Sequence, residues 1–218
     1  EEVPLQRMRK YYEQGVYVVR TEGSVIGQVN GMAVAGPTGV VLRTTAIAFA
    51  GKTGVRAIDQ IAGMLGPSAQ KATANIAGAL AVEIGGILMQ KVAINLSYEQ
   101  SYGGVEGDSA SQTQFIAALS ALSGVPVKQN LSITGSLDQR IDTQVIGGVK
   151  EKIEAFFAVC KSRGLTGDQG SIIPRTNIAS LQLSDEIVSA VREGKFHIYA
   201  VDDVRQAAEL LTGVAYKT

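Results

Sequence analysis

A glycine-rich acidic segment, residues 103–111 with the sequence GGVEGDSAS, delivers Ser109 to the expected start of a helix over residues 110–122. Glycines allow the backbone to adopt positive φ angles and to approach a substrate closely. The N–H groups at a helix N-terminus can hold the negative oxygen that forms when a carbonyl is attacked. Ser109 is therefore a candidate nucleophile. The alternative is purely structural, with Asp108 or Ser109 capping the helix.

A second segment, residues 147–154 with the sequence GGVKEKIE, places two lysines near the start of another expected helix. Lys150 and Lys152 point in different directions, because residues two apart on a helix do not share a face. The apolar residues that share the face of Lys152 are Val149, Ile153 and Phe156. Burial there would lower the pKa of the lysine, and a neutral amine can take a proton from a serine hydroxyl. The alternative is that both lysines lie on a solvated charged face with Glu151 and Glu154.

These segments resemble the motifs of the Lon peptidase family, and in particular those of its B-type branch. The motifs are GDSAS at residues 107–111, TGSL at residues 134–137 and GGVKEKIEA at residues 147–155. The serine and the second lysine lie 43 residues apart, which is the usual spacing in that family. The resemblance implies a Ser-Lys dyad in which Ser109 attacks the scissile carbonyl, Lys152 takes its proton, and nearby backbone N–H groups hold the oxyanion.

The resemblance also implies supporting positions around this pair. Thr134 matches the threonine that steadies the lysine amine in the family. Asp108 and Glu106 match the acidic positions before the serine, which in some relatives rearrange between inactive and active forms. Two departures stand out: Asn95 occupies a position where many relatives have histidine, and residues 43–54, RTTAIAFAGKTG, differ from the usual family sequence. We assign no role to Asn95 and expect an altered substrate groove near residues 43–54.

The fold and activity that the resemblance implies are those of a Lon proteolytic domain. We expect a compact α/β (α+β) fold that spans residues 1–218 as a single domain of a longer chain. The implied activity is endoproteolysis of unfolded or damaged polypeptides in cytoplasmic quality control, inside a ring of six copies. No cofactor is expected in this domain, and ATP and magnesium would enter only through an ATPase module of the parent chain, although ATP-independent Lon-like proteins exist. The rival hypothesis is a non-catalytic, ring-forming scaffold of the same fold.

The composition suits a hydrolase that works without a metal ion. His197 is the only histidine, which excludes two-histidine zinc signatures and Cys/His metal clusters. Cys160 is the only cysteine, which excludes an internal disulfide and suits the cytoplasm, and we interpret both residues as structural. Lys plus Arg and Asp plus Glu number 20 each, so neither nucleic acid nor an anionic membrane surface is a predicted partner. The most apolar stretch, residues 68–89, contains polar and charged interruptions that argue against a membrane span.

The N-terminal third is predicted to be rich in β-structure, because β-branched and apolar residues recur there between turn residues. The expected elements are a hairpin over residues 15–30 with its turn at 21–23, a second turn at 36–39, a strand over 40–50 and a returning strand over 55–58 beside it.

Residues 46–53, AIAFAGKT, also fit a permissive phosphate-loop pattern, which raises an NTPase as an alternative function. A working phosphate loop needs a helix after it, whereas residues 54–56 continue toward another strand. This favours a plain turn between two strands.

Helices and strands alternate in the remainder of the chain. The predicted helices span residues 68–89 with Ser68 as N-cap, 110–122 ended by Gly124, 149–162 ended by Gly164, 184–193 and 203–211. The predicted strands or strand-like pieces span residues 91–98, 130–134, 144–146, 171–173 and 196–201, with a turn at 135–136. Together these elements predict one α/β unit that carries Ser109 and Lys152 near helix starts.

Overall fold

A computed structural model describes residues 18–216, and a seven-stranded mixed sheet lies at their centre. The strands in chain order are β1 Ser24–Val25, β2 Gln28–Ala35, β3 Thr38–Ala50, β4 Gly54–Ala57, β5 Val92–Tyr98, β6 Val127–Lys128, β7 Leu131–Ile133, β8 Ser136–Leu137, β9 Thr143–Gln144, β10 Gly170–Pro174 and β11 His197–Val201. The order across the sheet is β11-β10-β7-β2-β3-β5-β4, and the pairs β1-β6 and β8-β9 form two small sheets. The predicted α/β class is confirmed.

Seven α-helices and one 3₁₀ helix accompany the strands of residues 18–216. They are α1 Ile58–Ile61, α2 Pro67–Ile84, α3 Gly86–Met89, α4 Ser111–Ser123, α5 Val149–Arg163, the 3₁₀ helix Arg175–Ser180, α6 Asp185–Arg192 and α7 Val204–Thr212. Gly124 takes the left-handed conformation that ends α4, as expected, and the Asp203 side chain accepts hydrogen bonds from the first turn of α7. Across residues 18–216, none of these helices has the length and apolar character needed to cross a membrane.

The two faces of the sheet are covered by different helices. On one face, Phe115 and Ile116 of α4 pack with residues of α2 and α7 against the sheet. On the other face, Ile153 and Phe156 of α5 pack with Phe196 and with residues of α6. Because α4 and α5 lie on opposite faces, their first residues can meet only at an end of the sheet. The start of α4 lies at the end where β7 finishes, since the N–H of Gly135 just after β7 donates to the carbonyl oxygen of Ser109 just before α4.

The hairpin predicted over residues 15–30 is wrong for the part of it that the structure describes, and residues 15–17 lie outside the described range. Residues 18–20 form no strand, and β2 pairs instead with β3 and β7. Side chains take the place of a partner strand: the Val18 N–H donates to Gln100 Oε1, and the Arg20 carbonyl oxygen accepts from Asn30 Nδ2, each at 2.8 Å. The second predicted turn is present at residues 36–37, where it joins β2 to β3.

The predicted return of residues 55–58 beside the preceding strand is also wrong. Strand β4 pairs in parallel with β5, and β5 separates it from β3. Residues 51–53 form the expected turn, with no helix after them, because the chain passes directly into β4. The segment therefore lacks the strand-loop-helix geometry of a phosphate loop.

The predicted single helix over residues 68–89 is divided, and its predicted cap is wrong. Helix α2 begins at Pro67 with Gly66 as N-cap, so Ser68 lies within the first turn. Gly85, with a φ angle of 90°, ends α2 before the short α3 begins, because that conformation is left-handed and leaves the helical path. Burial is limited to one face of α2, whose buried residues include Ala69, Ile76 and Leu80.

Candidate active site

The loop that carries Ser109 is anchored to the segment that leads into α2. The Val105 N–H donates to the Met64 carbonyl oxygen at 2.8 Å, and the Gly66 N–H donates to the Val105 carbonyl oxygen at 2.9 Å. The Glu106 carboxylate accepts from the backbone N–H of Ser68 at 3.3 Å and also from the Ser68 hydroxyl. A carboxylate at a helix N-terminus is stabilised by the unpaired N–H groups and the helix dipole. Glu106 thus ties the Ser109 loop to α2.

Ser109 occupies the turn just before α4, with its side chain partly accessible to solvent. Its carbonyl oxygen accepts from the Gly135 N–H at 2.9 Å and from Thr134 Oγ1 at 3.3 Å. The alternative prediction, that Asp108 or Ser109 caps the helix, is wrong. Ala110 is the N-cap of α4, and neither Asp108 nor Ser109 makes a side-chain cap. The Ser109 backbone is held from behind, and its hydroxyl is left for another partner.

That partner is Lys152, the fourth residue of α5. Its Nζ lies 3.0 Å from Ser109 Oγ, within hydrogen-bond distance. Lys152 is only 2% exposed, and Val149, Ile153 and Phe156 on the same stretch of α5 are buried too, whereas Lys150 is exposed. The predicted burial of one lysine is confirmed, and the alternative of a solvated face holds for Lys150 alone.

Burial lowers the pKa of Lys152 from 10.5 to about 8, because the apolar surroundings penalise the charged ammonium. The negative charge of Asp108 acts in the opposite direction and raises this pKa. Asp108 is itself held by Ser136, whose hydroxyl donates to Asp108 Oδ2 at 2.7 Å. Desolvation is the larger effect, so a neutral amine becomes accessible well below the pH at which a free lysine titrates.

Two glycines bring Lys152 to this position. Gly148 has a φ angle of 67°, a left-handed conformation that turns the chain into α5. Gly39 of β3 lies directly against the first turn of α5, since a Cβ atom there would lie 1.8 Å from the carbonyl oxygen of Glu151. The sheet and α5 therefore touch backbone to backbone at the residue that precedes Lys152.

Thr134 is fully buried, and its hydroxyl donates to the carbonyl oxygen of Ser109 rather than to the amine of Lys152. This contact supports the backbone of the Ser109 loop. The amine-steadying role implied by the family resemblance stays a prediction.

The remaining polar residues considered above lie away from the Ser109–Lys152 pair. Asn95 is on β5, opposite Ile47 of β3 and Arg56 of β4. Cys160 is buried on α5, and burial raises the pKa of its thiol. His197 Nε2 is 2.7 Å from the Gly167 carbonyl oxygen, a contact that fastens the start of β11.

A groove of about 370 Å³, here called the Ser109 groove, opens beside the serine. Residues 33–35 and 40–42, from the facing ends of β2 and β3, form an apolar wall. Residues 99–106, between β5 and the serine, form a polar wall. The contributions of Gly39, Ser136 and Glu99 to this region were not predicted from sequence. A glycine inside a strand is a recognisable signal of close packing, and Ser136 lies within the TGSL motif, whereas nothing local marks Glu99.

Comparisons with known proteins show the family of this chain. The family model for the "Lon protease (S16) C-terminal proteolytic domain" matches residues 3–212. The chain is therefore a proteolytic domain, and it belongs to the Lon protease family.

Three relatives illustrate the similarity. A putative Lon protease homolog of Escherichia coli K12 is 53% identical over 122 residues, which cover 56% of this chain and 21% of the relative. Archaeal Lon proteases of Thermococcus kodakarensis and Pyrococcus abyssi are 34% identical over 194 residues and 33% identical over 207 residues. These alignments cover 88% and 94% of this chain but only 28% and 19% of the relatives. The chain thus spans between about a fifth and a little over a quarter of the length of each relative.

Replacement of the buried lysine is expected to stabilise the fold. Below its folded pKa of about 8, Lys152 is charged in both the folded and the unfolded chain, and only the folded chain bears the desolvation penalty. Lys152→Met should therefore raise the free energy of unfolding by about 1–3 kcal/mol near neutral pH. This gain in stability over the wild type should shrink as pH rises from about 8 toward about 10. In that range Lys152 loses its proton in the folded chain before it does so in the unfolded chain, so the wild type becomes more stable. Urea unfolding at several pH values measures both effects, and Lys150→Met is the exposed control. A loss of stability in Lys152→Met would contradict a penalised charge.

Gly39→Ala tests the backbone contact between β3 and α5. The added methyl group must push the first turn of α5 away, so we expect a loss of about 1–3 kcal/mol in unfolding free energy. The rate of peptide hydrolysis should fall by more than this loss of stability explains. The displaced carbonyl belongs to Glu151, and Lys152 is the next residue of the helix. Gly78→Ala, in α2, is the matched control: a Cβ there meets no atom within 4 Å, and the helix should gain slightly. Full activity in folded Gly39→Ala would show that the contact does not set the Lys152 position.

Proposed function

We propose that this domain is a serine endopeptidase in which Ser109 is the nucleophile and Lys152 the general base. The observation that carries the proposal is the 3.0 Å approach of a buried amine, with its pKa lowered to about 8, to the hydroxyl of a serine at a helix start. A nucleophilic hydroxyl needs an adjacent base, and a desolvated lysine meets that need without a histidine.

The chemistry follows from the geometry of the pair. Neutral Lys152 accepts the hydroxyl proton while Ser109 Oγ attacks the peptide carbonyl carbon. The tetrahedral intermediate then expels the amine of the leaving peptide, which takes the proton from the Lys152 ammonium, and an ester to Ser109 remains. Water, deprotonated by Lys152, attacks this ester, releases the acyl product and restores the serine.

The oxyanion of each tetrahedral intermediate is proposed to bind at the start of α4. Within residues 18–216, the backbone N–H groups of Ser109 and Ala110 donate to no other group, so they are free to meet the developing charge. Such preorganised donors supply a large share of transition-state stabilisation in acyl transfer. Thr134 and Gly135 support this arrangement by holding the Ser109 carbonyl oxygen on the opposite side.

The proposed substrates are unfolded or damaged polypeptides. A groove of about 370 Å³ beside Ser109 admits an extended segment but not a folded domain. The short coverage of the relatives supports a longer parent chain, and we propose that an ATPase module, with ATP and magnesium, feeds substrate to this domain there. A homo-hexameric ring and a cytoplasmic role in protein quality control complete the proposal.

Single and double substitutions test the pair. Ser109→Ala and Lys152→Ala should each lower kcat/KM for an unfolded protein such as casein by about 10⁴-fold or more. The double variant should be hardly slower than either single variant, because the two groups act in one step. Lys150→Ala, the exposed neighbour, should retain activity. A stable, folded wild type without measurable hydrolysis would favour the scaffold hypothesis, and additive losses would separate Lys152 from the role of base.

The pH dependence tests the mechanism itself. Activity needs the neutral amine, so kcat/KM should rise with pH and reach half its plateau near pH 8, the pKa of Lys152. Asp108 raises this pKa, so Asp108→Asn should move the rising limb to lower pH. Glu22→Gln, an exposed acid in a distant turn, is the control and should leave the limb in place. A wild-type profile that rises only near the pKa of free lysine would contradict the proposed base. A rising limb that moves to higher pH in Asp108→Asn would contradict it too.

A further inference from the structure

The Ser109 groove has an uneven distribution of charge. Its apolar wall comes from the ends of β2 and β3, and its polar wall carries two carboxylates, Glu99 and Glu106. Among the described residues that line the groove, none is a lysine, an arginine or a histidine. A peptide in this groove therefore meets apolar surface on one side and negative charge on the other.

The two carboxylates have different surroundings. Glu106 is occupied at the N-terminus of α2, where Ser68 donates to it. Glu99 lies directly after β5, and among residues 18–216 its carboxylate has one side-chain partner, the neutral hydroxyl of Thr45, which donates to Oε1 at 2.6 Å. Across residues 18–216, no lysine or arginine forms an ion pair with Glu99. A carboxylate has about four acceptor positions, so most of those of Glu99 are left for water or for a ligand.

Glu99 is also held in a fixed position. Its backbone N–H donates to the Arg43 carbonyl oxygen at 2.8 Å, which continues the pairing of β5 with β3 by one residue. The bond from Thr45, on the same stretch of β3, fixes the carboxylate itself. Because the Glu99 carboxylate is half-buried and already oriented, Glu99 loses little conformational entropy when a cation binds, and the attraction is only partly screened by solvent.

We propose that Glu99 is a specificity-determining residue, which makes the Ser109 groove select peptide segments that carry arginine or lysine close to an apolar residue. The apolar wall takes the aliphatic side chain, and Glu99 takes the guanidinium or ammonium group of a neighbouring residue. Peptides with glutamate or aspartate at the same place bind weakly, since two carboxylates would approach each other in a partly dehydrated groove. The inference rests on the proposed function in that the groove must be the place where peptide binds.

Matched internally quenched peptides test this selection. Each peptide contains one leucine in a neutral background and a single arginine, glutamine or glutamate, placed in turn at each of three positions on either side. For the best position, kcat/KM should fall in the order arginine, glutamine, glutamate, with about 10-fold or more between the first and the last. Glu99→Gln should reduce that ratio to near one, and Glu99→Lys should invert it. Glu99→Asp keeps the charge and should keep the order.

Controls separate a failure of this inference from a failure of the proposed function. Ser109→Ala should abolish turnover of all peptides, yet its binding of fluorescent arginine and glutamate peptides, measured by anisotropy, should retain the preference. Glu22→Gln should leave the preference unchanged. If the glutamine peptide is cleaved normally and Glu99→Gln leaves the arginine-to-glutamate ratio as in wild type, Glu99 does not select charge and the inference is overturned. If no peptide is cleaved by the wild type but the binding preference persists and depends on Glu99, the selection stands while the catalytic proposal fails.

Discussion

The burial of the Lys152 amine away from water is the constraint on which the arrangement of this domain depends. Lys152 is almost fully buried, and the desolvation that lowers its pKa outweighs the opposing influence of Asp108. A buried ammonium destabilises a fold unless other packing compensates. Here the apolar face of α5 packs into a core that includes the edge-on approach of Phe157 to Phe196 at 5.2 Å. The site is thus held in place by a core that tolerates an unfavourable charge.

The serine and the lysine belong to helices on opposite faces of the sheet, so their meeting requires that several distant segments agree in position. Helix α5 is located by its backbone contact with Gly39, and the Ser109 turn is located by Gly135 after β7 and by the attachment of Glu106 to α2. None of these contacts involves the reacting atoms. They explain why two side chains need a whole domain around them, since an error of about 1 Å in the placement of reacting groups already costs much activity.

The parts of this structure that sequence could predict are those with a local cause. Helix ends at Gly124 and Gly164 follow from glycine stereochemistry, and the burial of Lys152 follows from the helical spacing of its apolar neighbours. Other features depend on which segments meet in three dimensions. These are the pairing of β4 with β5 and the hydrogen bonds of residues 18–20 to side chains instead of to a strand. The same holds for Glu106, which reads as an acidic neighbour of the serine in sequence but lies at the start of α2 in space.

Near neutral pH, Lys152 is a mixture of the charged ammonium and the neutral amine. With a pKa of about 8, only about one molecule in ten holds Lys152 as the neutral amine at a pH of about 7. Ser109 is partly exposed in the groove, so under the proposed function a polypeptide that covered the groove would displace water and disfavour the ammonium further. Occupancy of the groove and deprotonation of the lysine are thermodynamically linked, and each must favour the other to the same extent. A domain with an empty groove therefore holds Lys152 mostly as the ammonium, and under the proposed mechanism a bound polypeptide would enlarge the fraction of molecules with the neutral amine.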